Sequence, residues 1–263
     1  MPVLPAHRLY VKDRLTPGSE LKLDEERSRY AGRVLRLRPG DELTLFNGMG
    51  GEFAAVVSEV SRRAVILAIG ACRERDAEST LDINLVQGVS RGERMDFVVQ
   101  KATELGVRRI TPVLTERSVV RLQSDKGGRR REHWEKVAQS ACEQCGRNIV
   151  PVIDEPQPFA SWLASAGASD AQRAVLRPGG EQTLAGLNCQ AKRWQLLIGP
   201  EGGLAKAELE HAKEAGFVPC ALGPRVLRTE TAALAALVIL QDRFGDLGST
   251  PRAGGNPGCR SPS

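Results

Sequence analysis

The chain has 263 residues, 41% of them hydrophobic and 26% charged, which suits a globular protein of one large domain or two modest ones. No apolar run nears the roughly 18 residues of a membrane-spanning helix, and the mean hydropathy is -0.27; collagen-like, coiled-coil and disulfide-scaffold classes also fall away. Lys and Arg outnumber Asp and Glu by 37 to 32, a net +5 gathered in arginine clusters at Arg27, Arg29, Arg33, Arg36 and Arg38 and at Arg129, Arg130 and Arg131. Clustered guanidinium groups suit phosphate oxygens, although a solvated basic face gives the same pattern.

The opening MPVLPAHRLYVKDR lacks the basic-then-apolar layout of a secretory signal, so the sequence predicts a cytoplasmic protein. Residues 1–72 then read as β structure. After Pro39-Gly40-Asp41 come the strand candidates Glu42–Phe46, Glu52–Val57 and Ala64–Ile69, separated by Asn47-Gly48 and Arg62-Arg63. Such spacing predicts hairpins in a small sandwich or barrel. Arg73-Glu74-Arg75-Asp76 is the expected linker.

From Leu81 the rhythm becomes alternating. A strand at Leu81–Gln87 leads into a helix bearing Met95, Val98, Val99, Ala102 and Leu105, closed by Gly106. Ile110–Leu114 is extended, and a basic loop precedes a helix over Trp134–Cys145. Within that helix Cys142 and Cys145 sit on an apolar stripe with Trp134, Val137, Ala138 and Ala141, which favours buried thiols over a redox or zinc pair. The other cysteines are Cys72, Cys189, Cys220 and Cys259. His7, His133 and His211 have no ligand spacing, so no metal is expected.

Further strands are expected at Ala174–Leu176, Gln195–Ile198 and Val218–Leu222, with helices at Ala205–Ala215 and Glu230–Arg243. Strands alternating with helices argue for a largely parallel α/β sheet. Ala232–Leu240 is apolar without interruption, so it needs cover on all sides, from its own domain or from a second subunit. Residues 248–263 hold Gly, Pro, Ser and Arg but no acid, and are expected to be disordered. The domains are thus 1–72, 73–247 and a tail.

Two segments carry chemistry. In Ile198-Gly199-Pro200-Glu201-Gly202-Gly203 a buried strand runs into a glycine-rich bend where backbone can approach a ligand closely. In Leu222-Gly223-Pro224-Arg225-Val226-Leu227-Arg228-Thr229-Glu230-Thr231-Ala232 the plan recurs, with Thr229 as the expected helix N-cap. Each alone is an ordinary strand-to-helix connection; together in one sheet they suggest one pocket at the carboxyl ends of strands. No dinucleotide fingerprint, P-loop or nucleophile elbow is present.

These two segments resemble the signature of the SPOUT methyltransferases. More narrowly the chain resembles the bacterial 16S ribosomal RNA (uracil-N3)-methyltransferases, through His7-Arg8-Leu9-Tyr10-Val11, Lys101-Ala102-Thr103-Glu104-Leu105-Gly106 and Glu143-Gln144-Cys145-Gly146-Arg147. The resemblance implies an α/β knotted methyltransferase domain with a parallel sheet, preceded by a small PUA-like β-barrel for RNA. It implies a homodimer binding S-adenosyl-L-methionine through Ile198, Gly199, Pro200, Glu201, Gly202, Gly203, Leu222, Gly223, Leu227 and Arg228. The implied substrate is one uridine in the decoding region of the small ribosomal subunit.

Methyl transfer to uracil N3 requires loss of a weakly acidic imide proton, with charge developing on O2 and O4. Arg228 is the candidate to stabilise that charge, unless it forms a salt bridge with Glu230 or Glu201. Either glutamate could accept the proton, or simply bind backbone amides of the turn. Arg8, Arg27, Arg29, Arg33 and Arg147 are candidates for phosphate contacts. Lys101 is another substrate-contact candidate, with a surface ion pair to Glu104 as the plain alternative. Two other readings stay open: a different SPOUT reaction such as ribose 2′-O-methylation, and an RNA-binding or ribosome-assembly protein with an idle site.

Overall fold

The computed structural model of the protein describes residues 7–61, 64–118, 126–166, 170–180, 182–187 and 191–248. The expected disordered tail, the Arg62-Arg63 turn, Cys189 and Cys259 lie outside the described residues. The described residues divide into two compact units, residues 7–78 with 142–150, and residues 79–141 with 151–248.

The first unit is a five-stranded mixed sheet in the order β1-β3-β4-β5-β2. Its strands are β1 (Arg8–Tyr10), β2 (Glu20–Lys22), β3 (Glu42–Phe46), β4 (Glu52–Val60) and β5 (Val65–Arg73). β1 runs parallel to β3, and the remaining pairs are antiparallel. Alternation buries Leu43, Leu45, Phe53, Ala55, Val57, Val65, Leu67 and Ile69 in one core. Between β2 and β3, where sequence gave no element, lies a short helix α1 (Glu25–Arg29), capped by Asp24 and continued by a π-turn over Tyr30–Val34.

Two of the five proposed phosphate-binding arginines are built into this unit instead. The Arg147 side chain is only 3% exposed and lies 2.7 Å from Glu78. Glu78 also accepts from the Asn148 and Ile149 amides at 3.1 Å. Arg8, 1% exposed, pairs with Glu52 and reaches Asn148 Oδ1 at 2.7 Å. Both readings as phosphate contacts are therefore corrected. A guanidinium enclosed by carboxylates and carbonyls has no face left for RNA. Glu143 belongs to the same lock, accepting from the Tyr10 amide at 3.0 Å and from Arg27 at 2.8 Å.

The second unit is an eight-stranded parallel sheet, ordered β11-β13-β10-β12-β6-β7-β8, with β9 beside β7. Its strands are β6 (Asp82–Gly88), β7 (Arg109–Leu114), β8 (Val152–Ile153), β9 (Gln157–Pro158), β10 (Gln172–Leu176), β11 (Gln182–Thr183), β12 (Arg193–Ile198) and β13 (Val218–Ala221). Helices α4 (Phe159–Ser165) and α5 (Lys206–Glu214) cover one core through Phe159, Trp162 and Ala212. Helix α2 (Glu93–Glu104) packs on α6 (Thr229–Phe244). Helix α3 (Lys126–Cys145) starts earlier than expected, so Arg129, Arg130 and Arg131 are helical rather than in a loop. Cys142 and Cys145 form no disulfide among the described residues; Cys145 is only half-buried, whereas burial pushes the Cys142 thiol up to about 12. A buried thiol held protonated is inert, as the apolar stripe indicated. No helix among the described residues is long and apolar enough to cross a membrane.

Removing Arg147 strands Glu78 without a cation. Arg147→Ala is expected to lower the unfolding free energy by about 3 kcal/mol in chemical denaturation; an unchanged midpoint would return the side chain to a surface role.

Candidate cofactor and active site

The central strands bring the site together. Ile198 is paired with Gln87, so the chain leaves β12 and β6 side by side. A Cβ on Gly88 would lie 2.5 Å from the Pro200 nitrogen and 2.9 Å from the Gly199 carbonyl carbon. Only glycine at Gly88 permits that approach. Gly199 is equally confined, since its Cβ would meet Gly203 backbone at 2.9 Å. The bend closes on itself through Gly203 N–H donating to the Pro200 carbonyl at 2.8 Å.

The second bend is tied to the first by Thr229. Its hydroxyl donates to the Gly199 carbonyl at 2.6 Å and accepts from Gln87 Nε2 at 2.9 Å. Thr229 is therefore not the cap of α6; the N-cap position falls to Arg228, which makes no side-chain capping bond. The hydroxyl that sequence assigned to its own helix instead spans 30 residues to the other loop.

Between the bends lies a cavity of about 900 Å³, and all ten residues expected to hold the cofactor line it. That volume falls in the range of small-ligand sites. A third loop, Leu176-Arg177-Pro178 after β10, also lines it. This loop escaped the sequence reading, although Arg177-Pro178-Gly179-Gly180 has the same strand-then-glycine plan. A Cβ on Gly180 would meet the Ala221 nitrogen at 2.8 Å, so this bend too depends on close backbone approach. Arg94, Arg117, Lys206 and Arg225 complete the basic part of the wall.

The ionisable groups divide by partner. Glu201 accepts from the Arg91 amide at 3.1 Å and from Arg94 at 2.8 Å. Partial burial raises its pKa, but its own amide, that of Arg91 and the Arg94 guanidinium more than offset this and leave it below the ordinary value. Arg117 holds the other side of the bend by donating to the Gly202 carbonyl at 3.1 Å. Arg228 is exposed and makes no ion pair among the described residues, so the expected alternative of a bridge to Glu201 or Glu230 is not formed. Glu230 has one carboxylate oxygen, Oε2, buried without a hydrogen-bond partner among the described residues. Burial raises the Cys220 thiol in the wall to about 11, which leaves it protonated. Among the described residues no group of His, Cys, Asp and Glu could hold a metal ion.

The remaining candidates lie elsewhere. Lys101 pairs with Glu104 at 2.8 Å on α2. In the first unit Arg27 is engaged by Glu143 and lies over the Tyr10 ring, whereas Arg29 and Arg33 are exposed.

Thr229→Val keeps the shape and removes both bonds of the tie. Stability is expected to fall by about 2 kcal/mol, with weaker S-adenosylmethionine binding in calorimetry; unchanged binding would mean that the bends hold themselves. Since the Glu201 pKa is lowered on folding, its clamp is present above the ordinary carboxylate value and lost only as pH falls through the lowered one. Cofactor affinity should therefore hold in a pH titration down to the ordinary carboxylate range; a loss beginning already near neutral pH would contradict the clamp.

Comparison with known proteins identifies the family. A family model for the RNA methyltransferase domain matches residues 77–241, and one for the RNA methyltransferase PUA domain matches residues 23–70. A ribosomal RNA small subunit methyltransferase E of Buchnera aphidicola is 35% identical, over 91% of this chain and 97% of that protein. The enzyme of the same name from Bacillus subtilis is 31% identical over 86% and 91%. A methyltransferase structure from Legionella pneumophila with bound S-adenosylmethionine superposes with a TM-score of 0.87 at 40% identity, covering 91% and 98% of the two chains. The Neisseria gonorrhoeae small subunit methyltransferase E, also with S-adenosylmethionine, gives 0.85 at 35%, covering 93% and 100%. The chain therefore belongs to the ribosomal RNA small subunit methyltransferase E family.

Proposed function

We propose that the protein methylates N3 of a uridine in the decoding region of 16S rRNA, with S-adenosylmethionine as donor, and that it works as a homodimer. The observation that carries this reading is the cavity between the Gly199–Gly203 and Leu222–Arg228 bends. It combines close backbone, a guanidinium free of ion pairs among the described residues, and the Glu230 carboxylate in its wall. The resemblance of these two loops to the SPOUT signature supports a knotted threading of this region.

Bound S-adenosylmethionine supplies a methyl group on a positively charged sulfur, so the protein's own work is alignment and proton removal. Arg228 offers N–H donors to the uracil oxygen on which charge develops, a placement most effective where water is excluded. Glu230, which lines the same cavity, accepts the N3 proton, since Glu201 is already engaged by Arg94 and the Arg91 amide. Glu201 is kept charged by Arg94 and two amides, and holds the bend in place rather than exchanging protons. A homodimer is supported by α6: Ala233, Ala236, Leu237 and Leu240 are buried within the chain, but Val238 remains 43% exposed. The wholly apolar run is thus left partly uncovered.

Arg228→Ala is expected to lower kcat about 100-fold while S-adenosylmethionine affinity changes little. Glu230→Gln should do the same, and Glu201→Gln should instead weaken cofactor binding. Steady-state kinetics beside calorimetry separate these effects; equal losses of turnover and affinity in Arg228→Ala would leave it a structural group. Nucleoside analysis of methylated 16S rRNA tests the position, and methylation of a ribose oxygen would overturn N3.

A further inference from the structure

The segment after α1 carries a side chain that its own fold does not explain. The π-turn closes with Leu35 N–H donating to the Tyr30 carbonyl at 3.1 Å, and Leu37 N–H then reaches back to the Ala31 carbonyl at 3.0 Å. Leu37 is 3% exposed and Ala31 fully buried, so this clasp is drawn tight by the core. The residue between the two leucines must turn left-handed, and it is Arg36, with φ of 55°. No other non-glycine residue among those described has a positive φ. At this position after a helix, glycine is the usual occupant because a side chain is strained there.

The clasp holds the turn, but no contact of the Arg36 side chain among the described residues offsets the strain of having a side chain there. The Arg36 side chain makes no hydrogen bond or ion pair among the described residues, and it is exposed. Arg33 and Arg38 beside it are exposed as well, and Val34 is 65% exposed. The nearest following acid, Asp41, accepts from the Arg38 amide at 2.7 Å. Three guanidinium groups and an apolar side chain therefore stand on one knuckle with a rigid, costly geometry. Strain that persists without an internal partner points to a function outside the fold.

We propose that the turn Arg33–Arg38 grips the RNA substrate, with Arg33, Arg36 and Arg38 meeting phosphates and Val34 lying against ribose or base. This rests on the rRNA reading above. Arginine suits the task because its planar fork binds phosphate bidentately. The exposed Arg29 on α1 extends the same basic surface, its only ion pair among the described residues being a loose one with Glu25 at 3.8 Å.

The test uses the full chain, small-subunit rRNA and three substitutions of Arg36. Arg36→Gly removes charge and strain together: it should raise Tm by about 2 °C and weaken rRNA binding about five- to tenfold at 0.1 M salt. The slope of log K against log salt should flatten by about 1. Arg36→Gln should lose the same affinity without the gain in Tm, and Arg36→Lys should keep most of it. S-adenosylmethionine binding should be unchanged in all three. Unchanged rRNA affinity in Arg36→Gly, or a lower Tm, overturns the proposal, the latter because the guanidinium then serves the fold. Arg36-dependent binding to phosphatidylglycerol vesicles without any effect on rRNA binding also overturns it, in favour of a lipid surface. Failure of the unaltered chain to bind rRNA at all would instead remove the substrate reading and this surface with it.

Discussion

The site depends on one hydroxyl. Thr229 stands between two loops that are separate in sequence and accepts one hydrogen bond from Gln87 while donating another to Gly199. All three residues are buried, and a buried polar atom left unpaired costs about 1–3 kcal/mol. The two bends therefore hold a fixed separation before any ligand arrives. Gly88 makes this possible, since any side chain there would collide with the Pro200 nitrogen. Preorganisation of this kind saves the ordering cost on binding.

The first unit shows the opposite use of polar residues. Arg8, Glu52, Glu78, Arg147 and Asn148 form an enclosed network that fastens residues 142–150 to the sheet of that unit. Such a network gives little net stability over apolar packing, but losing one member is costly. It accounts for two of the three supporting matches in the resemblance: His7–Val11 supplies Arg8 and the Tyr10 amide, and Glu143–Arg147 supplies their partners. Residues that look like RNA contacts in sequence are here the fastening of the unit that carries the exposed arginines.

Much of the second unit was legible because local rules agree there. A buried apolar run followed by glycine gave the end of β12 and its bend, and Met95, Val98, Val99 and Ala102 gave the buried face of α2. β3 was read to its observed limits, Glu42–Phe46. What could not be read was pairing. An enclosed Arg147 and an exposed Arg33 are the same letter, and Glu78 lies 69 residues from its partner. Thr229 looked like a cap because Ser, Thr and Asp before a helix usually are; tertiary geometry offered its hydroxyl a carbonyl across the site. Short α1 and α4 lack the length over which a 3.6-residue period becomes visible.

The central claim is that the two bends form one binding unit around S-adenosylmethionine. Amide hydrogen exchange of the full chain, with and without S-adenosylmethionine, addresses it directly. The account predicts that segments 199–204 and 222–229 gain protection together, to the same degree and at the same ligand concentration. Protection of one segment without the other, or of neither despite binding, would contradict it.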